Sequence, residues 1–339
     1  MTAIPSIAII GAGLSGLACA QALADHDISS EVFDKGRGPG GRMTSRRLPG
    51  AVVDLGAQYF TARESRFSEQ VAVWRKAGLV APWPQRLWRV EADGWQPHHD
   101  DQTRYSAAPR MSALTRSLTE GVDLHAQTRI TGLQQRADGW WLADDAGRDH
   151  GPYARVVVTV PTPQAEPLVA PHDPALAADC LAIVQQPCWA GYAVFDEPLP
   201  ELPGVDADWQ AAFVNVGPLS MVSRNDTKPG RQAQDESLTL LASHEASAAW
   251  LEDDADAVAE RLFSAFESLY PRPLPKPRLI GAHRWRYAKP CGPATGGPGY
   301  RLSARGIALC GDALRSSRIE GAWLSGHDLG QTLAAEIGS

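Results

Sequence analysis

Basic charge is in short supply. Lys and Arg number 32 against 39 Asp and Glu, for a formal net charge of −7. A chain with this balance has no general electrostatic hold on a polyanion, so no nucleic-acid partner is expected. Cysteine is sparse as well. The five (Cys19, Cys180, Cys188, Cys291, Cys310) are scattered, odd in number and without metal-ligand spacing. Reduced thiols in a cytoplasm, and no metal site, are the expectation. The adjacent His98 and His99 follow a Trp95-Gln96-Pro97 turn and have no second ligand set beside them. Internal repeats and low-complexity linkers are absent too. The one apolar stretch open to misreading, Ile4 to Ala24, has no basic residues before it and carries glycines in phosphate-loop register. It reads as strand, turn and helix, so no targeting or membrane segment is expected. What remains is 339 residues with 44% hydrophobic and 21% charged residues, enough for one large domain or two smaller ones.

The organisation follows from punctuation and periodicity. "SIAIIGAG" gives a buried strand, Ser6 to Ile10, and a tight turn; "LSGLACAQALADH" gives a helix and "SSEVFDK" the next strand, a βαβ unit. "RMSALTRSL" places Met111, Leu114 and Leu118 at helical spacing. "VDLHAQTRITGLQQR" and "GWWLADD" read as antiparallel strands turning at Asp138-Gly139, and "ARVVVTVP" as a buried strand ended by Pro161. From about Pro163 to His283 the texture changes to clustered prolines and short strands. One amphipathic helix there presents Leu251, Ala255, Val258, Leu262, Phe266 and Leu269 on one face. "GIALCGD" and "EGAWLSGHDLGQTLAAEI" supply a last buried strand and a closing helix. Both chain ends therefore belong to one domain, with another inserted between them. The expected fold is α/β: a Rossmann-type domain over 1–62, 109–163 and 284–339, and an inserted mixed-sheet α+β substrate domain over 63–108 and 164–283.

Three elements carry chemistry. Gly11, Gly13 and Gly16 form G-x-G-x-x-G between strand and helix. The first permits the turn, the second admits a pyrophosphate and the third allows close helix–strand packing, while the helix N-terminus favours the anion. Asp34 stands about 20 residues on, where a carboxylate bonds a ribose hydroxyl. The second element, Gly40-Gly41-Arg42, has no use in a simple NAD site. A longer, FAD-type dinucleotide can use a second backbone approach and a guanidinium near its phosphates. The third, "IALCGDALRSSRIEGAWLSGHD", offers Asp312 to a ribityl or phosphate-side hydroxyl and a helix start at Ile319-Glu320-Gly321 to a reduced flavin ring. Gly326 and Gly330, four apart, let that helix pack closely on a sheet.

Taken together, "FDKGRGPGGRMTSRR", "DLGAQYFTAR", "VVVTVPTPQA", "HRWRYAKP" and "GDALRSSRIEGAWLSG" make the chain resemble the renalase family, most closely its bacterial members, over nearly its whole length. The glycine motifs are shared by the wider amine-oxidase-like flavoprotein superfamily; "DLGAQYFT" and "HRWRYA" are more specific. The resemblance implies noncovalent FAD, with cofactor contacts at Gly11, Ala12, Gly13, Ser15, Gly16, Asp34, Lys35, Gly41, Arg42, Gly56, Ala57, Ile130, Asp312 and Ile319. It implies oxidation of dihydronicotinamide dinucleotides reduced at ring C2 or C6 to NAD(P)+, with dioxygen giving hydrogen peroxide. Such a substrate needs placement more than a base, so no catalytic acid–base residue is expected.

Gln58, Tyr59, Phe60 and Thr61 are candidate pocket lining, though Tyr59 and Phe60 read equally as core. His283, Trp285 and Tyr287 alternate along a strand and share a face, either against substrate or in the core. Arg315, three past Asp312, faces a substrate phosphate or carboxamide, or solvent. Two other readings stay open. A flavin amine oxidase would use Trp189, Tyr192, Trp285 and Tyr287 as aromatic walls; Cys291 lies roughly where some amine oxidases attach FAD, although "KPCGPATGG" matches that motif poorly. A non-catalytic binder on the same fold, as in prenylated-GTPase dissociation inhibitors, is the other.

Overall fold

The computed structural model describes residues 7–232, 234–291 and 297–338. Ser6, the expected start of the first strand, and residues 292–296 after Cys291 lie outside the described residues. The chain divides into two compact units, one of residues 1–41, 115–185 and 289–339, the other of 42–114 and 186–288. These bounds differ from the expected domains at 42–62, 109–114, 164–185 and 284–288. Compactness sorts residues by their neighbours in space, whereas the expected bounds followed the change in sequence texture.

The first unit is built on a six-stranded sheet. Its order is Asp123–Ala126, Ser30–Asp34, Ile7–Ile10, Arg155–Val158, Ile307–Cys310 and Tyr300–Leu302. The first five strands run parallel and the last antiparallel. The strands Ile7–Ile10 and Ile307–Cys310 are buried along their whole length, as a parallel sheet covered on both faces requires. The stretch "VDLHAQTRITGLQQR", expected as a single antiparallel strand, is two elements. Asp123–Ala126 joins the parallel sheet beside Ser30–Asp34. Gln127 then turns with φ +56, and Ile130–Arg136 starts a three-stranded antiparallel sheet with Gly139–Asp144 and Asp149–Tyr153.

Two helices cover one face. Leu14–Ala24 and the closing Ile319–Gly338 pack against each other through glycines. A Cβ at Gly326 would meet the Ser15 carbonyl oxygen at 1.9 Å, and one at Gly330 the Cys19 carbonyl oxygen at 2.8 Å. These glycines thus serve a helix–helix contact, not the helix–sheet contact expected of them. Close approach of two backbones is the common physical reason.

The second unit carries a seven-stranded mixed sheet in the order Leu279–Cys291, Val184–Val194, Ser237–Ala242, Leu219–Arg224, Ala211–Val214, Leu87–Glu91 and Gly94–Pro97. The helix Ala255–Glu267 buries Val258, Leu262 and Phe266 of the face read from periodicity among this unit's core residues, while Leu251 and Leu269 of that reading lie outside the helix. Asp254 caps it, accepting from the amides of Asp256 and Ala257. Smaller pieces complete the unit: the hairpin Ser45–Leu48 with Ala51–Asp54, and a sheet of Phe60–Thr61, Arg104–Ala107 and Val80–Pro82. No helix among the described residues is long and apolar enough to cross a membrane.

Candidate active site

In the first unit the glycine-rich turn has the geometry its composition demands. Gly11 has φ +114, a conformation L side chains rarely adopt. A Cβ at Gly16 would lie 2.0 Å from the Gly11 carbonyl oxygen, so only glycine lets the helix start this close to the strand. Gly13 is different. It is the N-cap, no side chain caps the helix, no acidic residue sits in the first turn, and a Cβ there would meet nothing within 4 Å. An uncapped helix start facing open space has the free amides and the room that an anion needs. The second loop closes onto the first: Gly40 donates its amide to the Ala12 carbonyl at 2.8 Å, and Gly41, at φ +49, lies alongside Gly13.

Asp34 ends its strand as expected. Its carboxylate accepts from the amides of Ala12 (2.7 Å) and Gly36 (2.6 Å), which fixes it at the mouth of both loops. A carboxylate has about four acceptor sites, so two remain for a diol. Ser15 departs from expectation in its side chain, which donates to Cys310 Sγ; its amide remains part of the helix start. Ile130 is buried in the core, and Lys35 donates to Gln164 Oε1 at 3.2 Å. Burial and the Arg129 charge lower the Lys35 pKa. Asp312 begins a short helix, Asp312–Arg315, and Ile319 the closing one. Arg315 is engaged internally, donating to Asp328 Oδ2 at 2.7 Å and to the Pro298 carbonyl. At the sheet edge Glu31, Asp123 and His125 bring ligand atoms within 4.8 Å of one another, and His125 bonds Glu31.

In the second unit, the two more specific sequence segments are joined. Trp285 Nε1 donates to the Leu55 carbonyl at 2.6 Å, tying "HRWRYA" to "DLGAQYFT". Arg42 donates to the Ala288 carbonyl, and its own carbonyl accepts from Ala57. Gly56 packs on that carbonyl so closely that a Cβ would sit 1.9 Å from it. His283, Trp285 and Tyr287 are half-buried while Arg284 and Arg286 are exposed, so the alternation places the aromatics on one face. His283 meets the Trp285 ring edge-on at 4.4 Å. Burial, then the Arg46 charge, lower its pKa and keep the imidazole neutral. Tyr192 lies over Gly281 and bonds Arg46. Trp189 does not join them: it is buried in the core and donates to the Trp250 carbonyl, which removes it as an aromatic wall. Phe60 is also core, against Phe67 and Tyr105, whereas Tyr59 is half-exposed beside Arg104 and Phe213.

Gln58 has a role the sequence did not reveal. Its amide donates to the carbonyls of Asp54 and Gly56 and accepts from Lys228 Nζ at 3.0 Å. Lys228 belongs to a fully buried cluster. Asp54 receives Lys228 at 2.8 Å and Arg231 through both carboxylate oxygens at 3.0 and 2.8 Å. The Ser45 hydroxyl and the Met111 amide add two more bonds. Desolvation pushes the Asp54 pKa up, but the two cations outweigh it and hold the carboxyl below its usual range. Lys228, over the Trp83 ring at 4.6 Å, is brought down to about 8, by desolvation first. "DTKPGR" gave no sign of this; only the charge of Lys228 and Arg231 inside a strand-rich segment could have raised the question.

Comparison with known proteins agrees with the geometry. A model described as NAD(P)-binding Rossmann-like domain matches residues 9–73. Residues 84–329 match that of the flavin containing amine oxidoreductases, so the chain belongs to the flavin-containing amine oxidoreductase family. Curated relatives match over short stretches. Coproporphyrinogen III oxidase of Staphylococcus aureus is 36% identical over 66 residues, 19% of this chain and 14% of that protein. The zeta-carotene-forming phytoene desaturase of Myxococcus xanthus is 44% identical over 50 residues, 15% of this chain and 10% of that protein. The chain thus spans a small fraction of the curated relatives it matches. Solved structures match over the whole chain. One from Exiguobacterium sp. 255-15, assigned as protoporphyrinogen oxidase, has a TM-score of 0.77 at 14% identity, covering 99% of this chain and 100% of that one. A redesigned putrescine oxidase has 0.72 at 14% identity, covering 98% of each. At such identity these share the fold.

The residues present fit a flavin dinucleotide. The open, uncapped helix start has room and amides for a diphosphate, Asp34 has acceptors left for a ribose, and the Gly40-Gly41 loop closes over the same turn.

Proposed function

We propose that the chain is an FAD-dependent oxidase of dihydronicotinamide dinucleotides reduced at C2 or C6, yielding NAD(P)+. The observation that carries the reading is the Trp285–Leu55 hydrogen bond, which unites the two segments that distinguish the renalase family from other flavin oxidoreductases. FAD, when bound, supplies the hydride acceptor and passes the electrons to dioxygen, which leaves as hydrogen peroxide. The chain's own residues bind and orient. Gly11, Gly13 and the helix start would hold the diphosphate and Asp34 the adenosine ribose; in the second unit Arg42 offers a guanidinium fixed by Ala288. Tyr59, Thr61, His283, Trp285 and Tyr287 orient the dihydropyridine ring. That ring carries its hydride on carbon and becomes aromatic and cationic on losing it, so no side chain need remove a proton first. A neutral His283 suits this outcome, because an imidazolium beside a forming pyridinium would oppose it. No covalent link to the flavin is proposed: acid precipitation releases all the yellow colour into the supernatant.

Amine oxidation is the second reading, favoured by the family itself. Against it, the Arg46 guanidinium already stands over the Tyr192 ring at 5.5 Å, a cation where an amine would approach. Anaerobic addition of borohydride-reduced NAD+, which contains the C2- and C6-reduced isomers, bleaches the flavin rapidly on this proposal. Purified ordinary NADH and aryl-ethylamines do not. Oxygen then restores the colour with peroxide release. Rapid bleaching by amines, with none by the isomer mixture, overturns the reading. His283→Ala slows bleaching only modestly, since a general base contributes about 10²–10⁴-fold and none is invoked.

A further inference from the structure

Beyond the ring-binding face, the second unit holds a cleft of about 290 Å³. Its walls come from three places. Thr61 and Arg63 follow the Gln58-Tyr59-Phe60 segment; Ser68 and Arg75 lie on one face of the helix Ser65–Lys76; Asp101 and Gln102 precede the strand Arg104–Ala107. Val71 closes the floor and is buried. The two arginines are held in place. Arg63 Nη2 donates to Gln102 Oε1 at 3.0 Å, and the Arg75 guanidinium sits over the Tyr105 ring at 5.7 Å.

We propose that this cleft binds the nucleoside-diphosphate arm of the substrate, an assignment that rests on the dinucleotide reading above. Two guanidiniums lining one cleft supply the charge and the paired donors that a diphosphate calls for. Asp101 argues for a nucleotide over a bare anion. A lone phosphate meets its carboxylate as a repulsion, whereas a ribose offers hydroxyl donors to it. Position agrees with size. Thr61 is two residues from Tyr59, at most about 7 Å of extended chain, so the cleft lies within reach of a ligand that begins near Tyr59 and extends by a diphosphate. The volume is at the lower end of small-ligand sites, about 300 Å³ and upward, and suits one arm of a dinucleotide.

The test is calorimetric titration of the holoenzyme, whose filled cofactor site leaves ADP no place there. ADP binds, while adenosine and inorganic phosphate each bind at least about tenfold more weakly, because each lacks half the contacts. Arg63→Ala and Arg75→Gln each weaken ADP about tenfold, with unchanged flavin content and circular dichroism showing that the fold is intact. ADP failing to bind, binding both variants as it binds the parent, or binding no better than phosphate overturns the proposal. Flavin bleaching by the isomer mixture, run separately, tests the oxidase reading. Bleaching without ADP binding sinks the cleft alone, and ADP binding without bleaching sinks the oxidase reading alone.

Discussion

Asp54, Lys228 and Arg231 are all buried to within 1% of exposure, and they carry one negative and two positive charges. Replacing Asp54 by Asn keeps the shape and removes the anion bonded to both cations. Lys228 and Arg231 are then left without their bonded counter-charge, and Asp226 acts on Arg231 only through space. Arg231 cannot shed its proton, and Lys228, already down to about 8, must shed its own at neutral pH. Removing one partner of a buried pair costs about 3–5 kcal/mol. Lys228→Met is the informative contrast. It leaves Asp54 bonded to Arg231 through both oxygens and turns a cluster of net charge +1 into a neutral one. Its cost is smaller, because the lost bonds to Asp54 and Gln58 and the contact with the Trp83 ring are set against the removal of a buried cation.

The assay is urea unfolding of both variants and the parent at pH 7, followed by circular dichroism. The expected order of stability is parent, then Lys228→Met, then Asp54→Asn well below. The pH dependence sharpens the comparison. A lysine whose folded pKa is about 8, against about 10.4 unfolded, binds its proton more weakly in the folded state. Unfolding free energy therefore rises as pH climbs from about 8 to 10.4, by up to about 3 kcal/mol from this group. That rise is present in the parent and absent from Lys228→Met. Equal destabilisation by the two substitutions, or the same alkaline rise in both proteins, would refute the argument from buried net charge.

The glycines separate cofactor binding from packing. Gly13→Ala puts its methyl into open space, so it leaves the apo-protein's melting temperature unchanged and lowers FAD affinity; Gly326→Ala drives its Cβ into the Ser15 carbonyl and destabilises by about 1–3 kcal/mol, read by denaturation of the apo-protein. Asp34→Ala weakens FAD retention by about 10–100-fold, the equivalent of about 1.5–3 kcal/mol for charge-assisted bonds, and equilibrium dialysis with FAD checks it. On the acid side, Asp54's lowered pKa contributes stability above the ordinary carboxylate range that is lost as pH falls through the folded value; Asp54→Asn flattens that limb in acid titration followed by circular dichroism.

The first unit was largely legible because its signals are local. A strand, a glycine turn and a helix lie within 24 residues of one another, and each glycine answers a backbone constraint a few residues away. The partner of Gly326 was not legible. Its small size declared close packing, but Ser15 lies more than 300 residues earlier, and sequence spacing cannot tell a helix from a sheet as the neighbour. The split of Asp123–Ala126 from Ile130–Arg136 turns on one residue, Gln127, in a left-handed conformation that its residue type does not announce. Trp189 and Tyr192 are three apart on one strand and so face opposite ways; only the observed burial says which of the two faces the core.

The hidden cluster shows what holds "DLGAQ" in place. Asp54 anchors the segment from below through Lys228 and Arg231, and its backbone is bonded by Asn225 and Thr239. Gln58 is gripped at the other end by Lys228 while its amide spans the Asp54 and Gly56 carbonyls. Gly56 must be glycine to sit on the Arg42 carbonyl, and the Leu55 carbonyl is taken by Trp285. Each residue of the segment is thus fixed by a partner distant in sequence, and what the segment offers a ligand is a rigid backbone. A buried cluster of net charge +1 is an expensive way to gain stability, since a well-packed apolar set of the same volume is often as good or better. Its retention makes sense if the order it imposes on residues 54–58 is what the site requires. Lys228→Met, which frees Gln58 while sparing the Asp54–Arg231 pair, separates these two roles. It should loosen substrate positioning by more than its small stability cost accounts for, seen as slower anaerobic bleaching at full flavin occupancy.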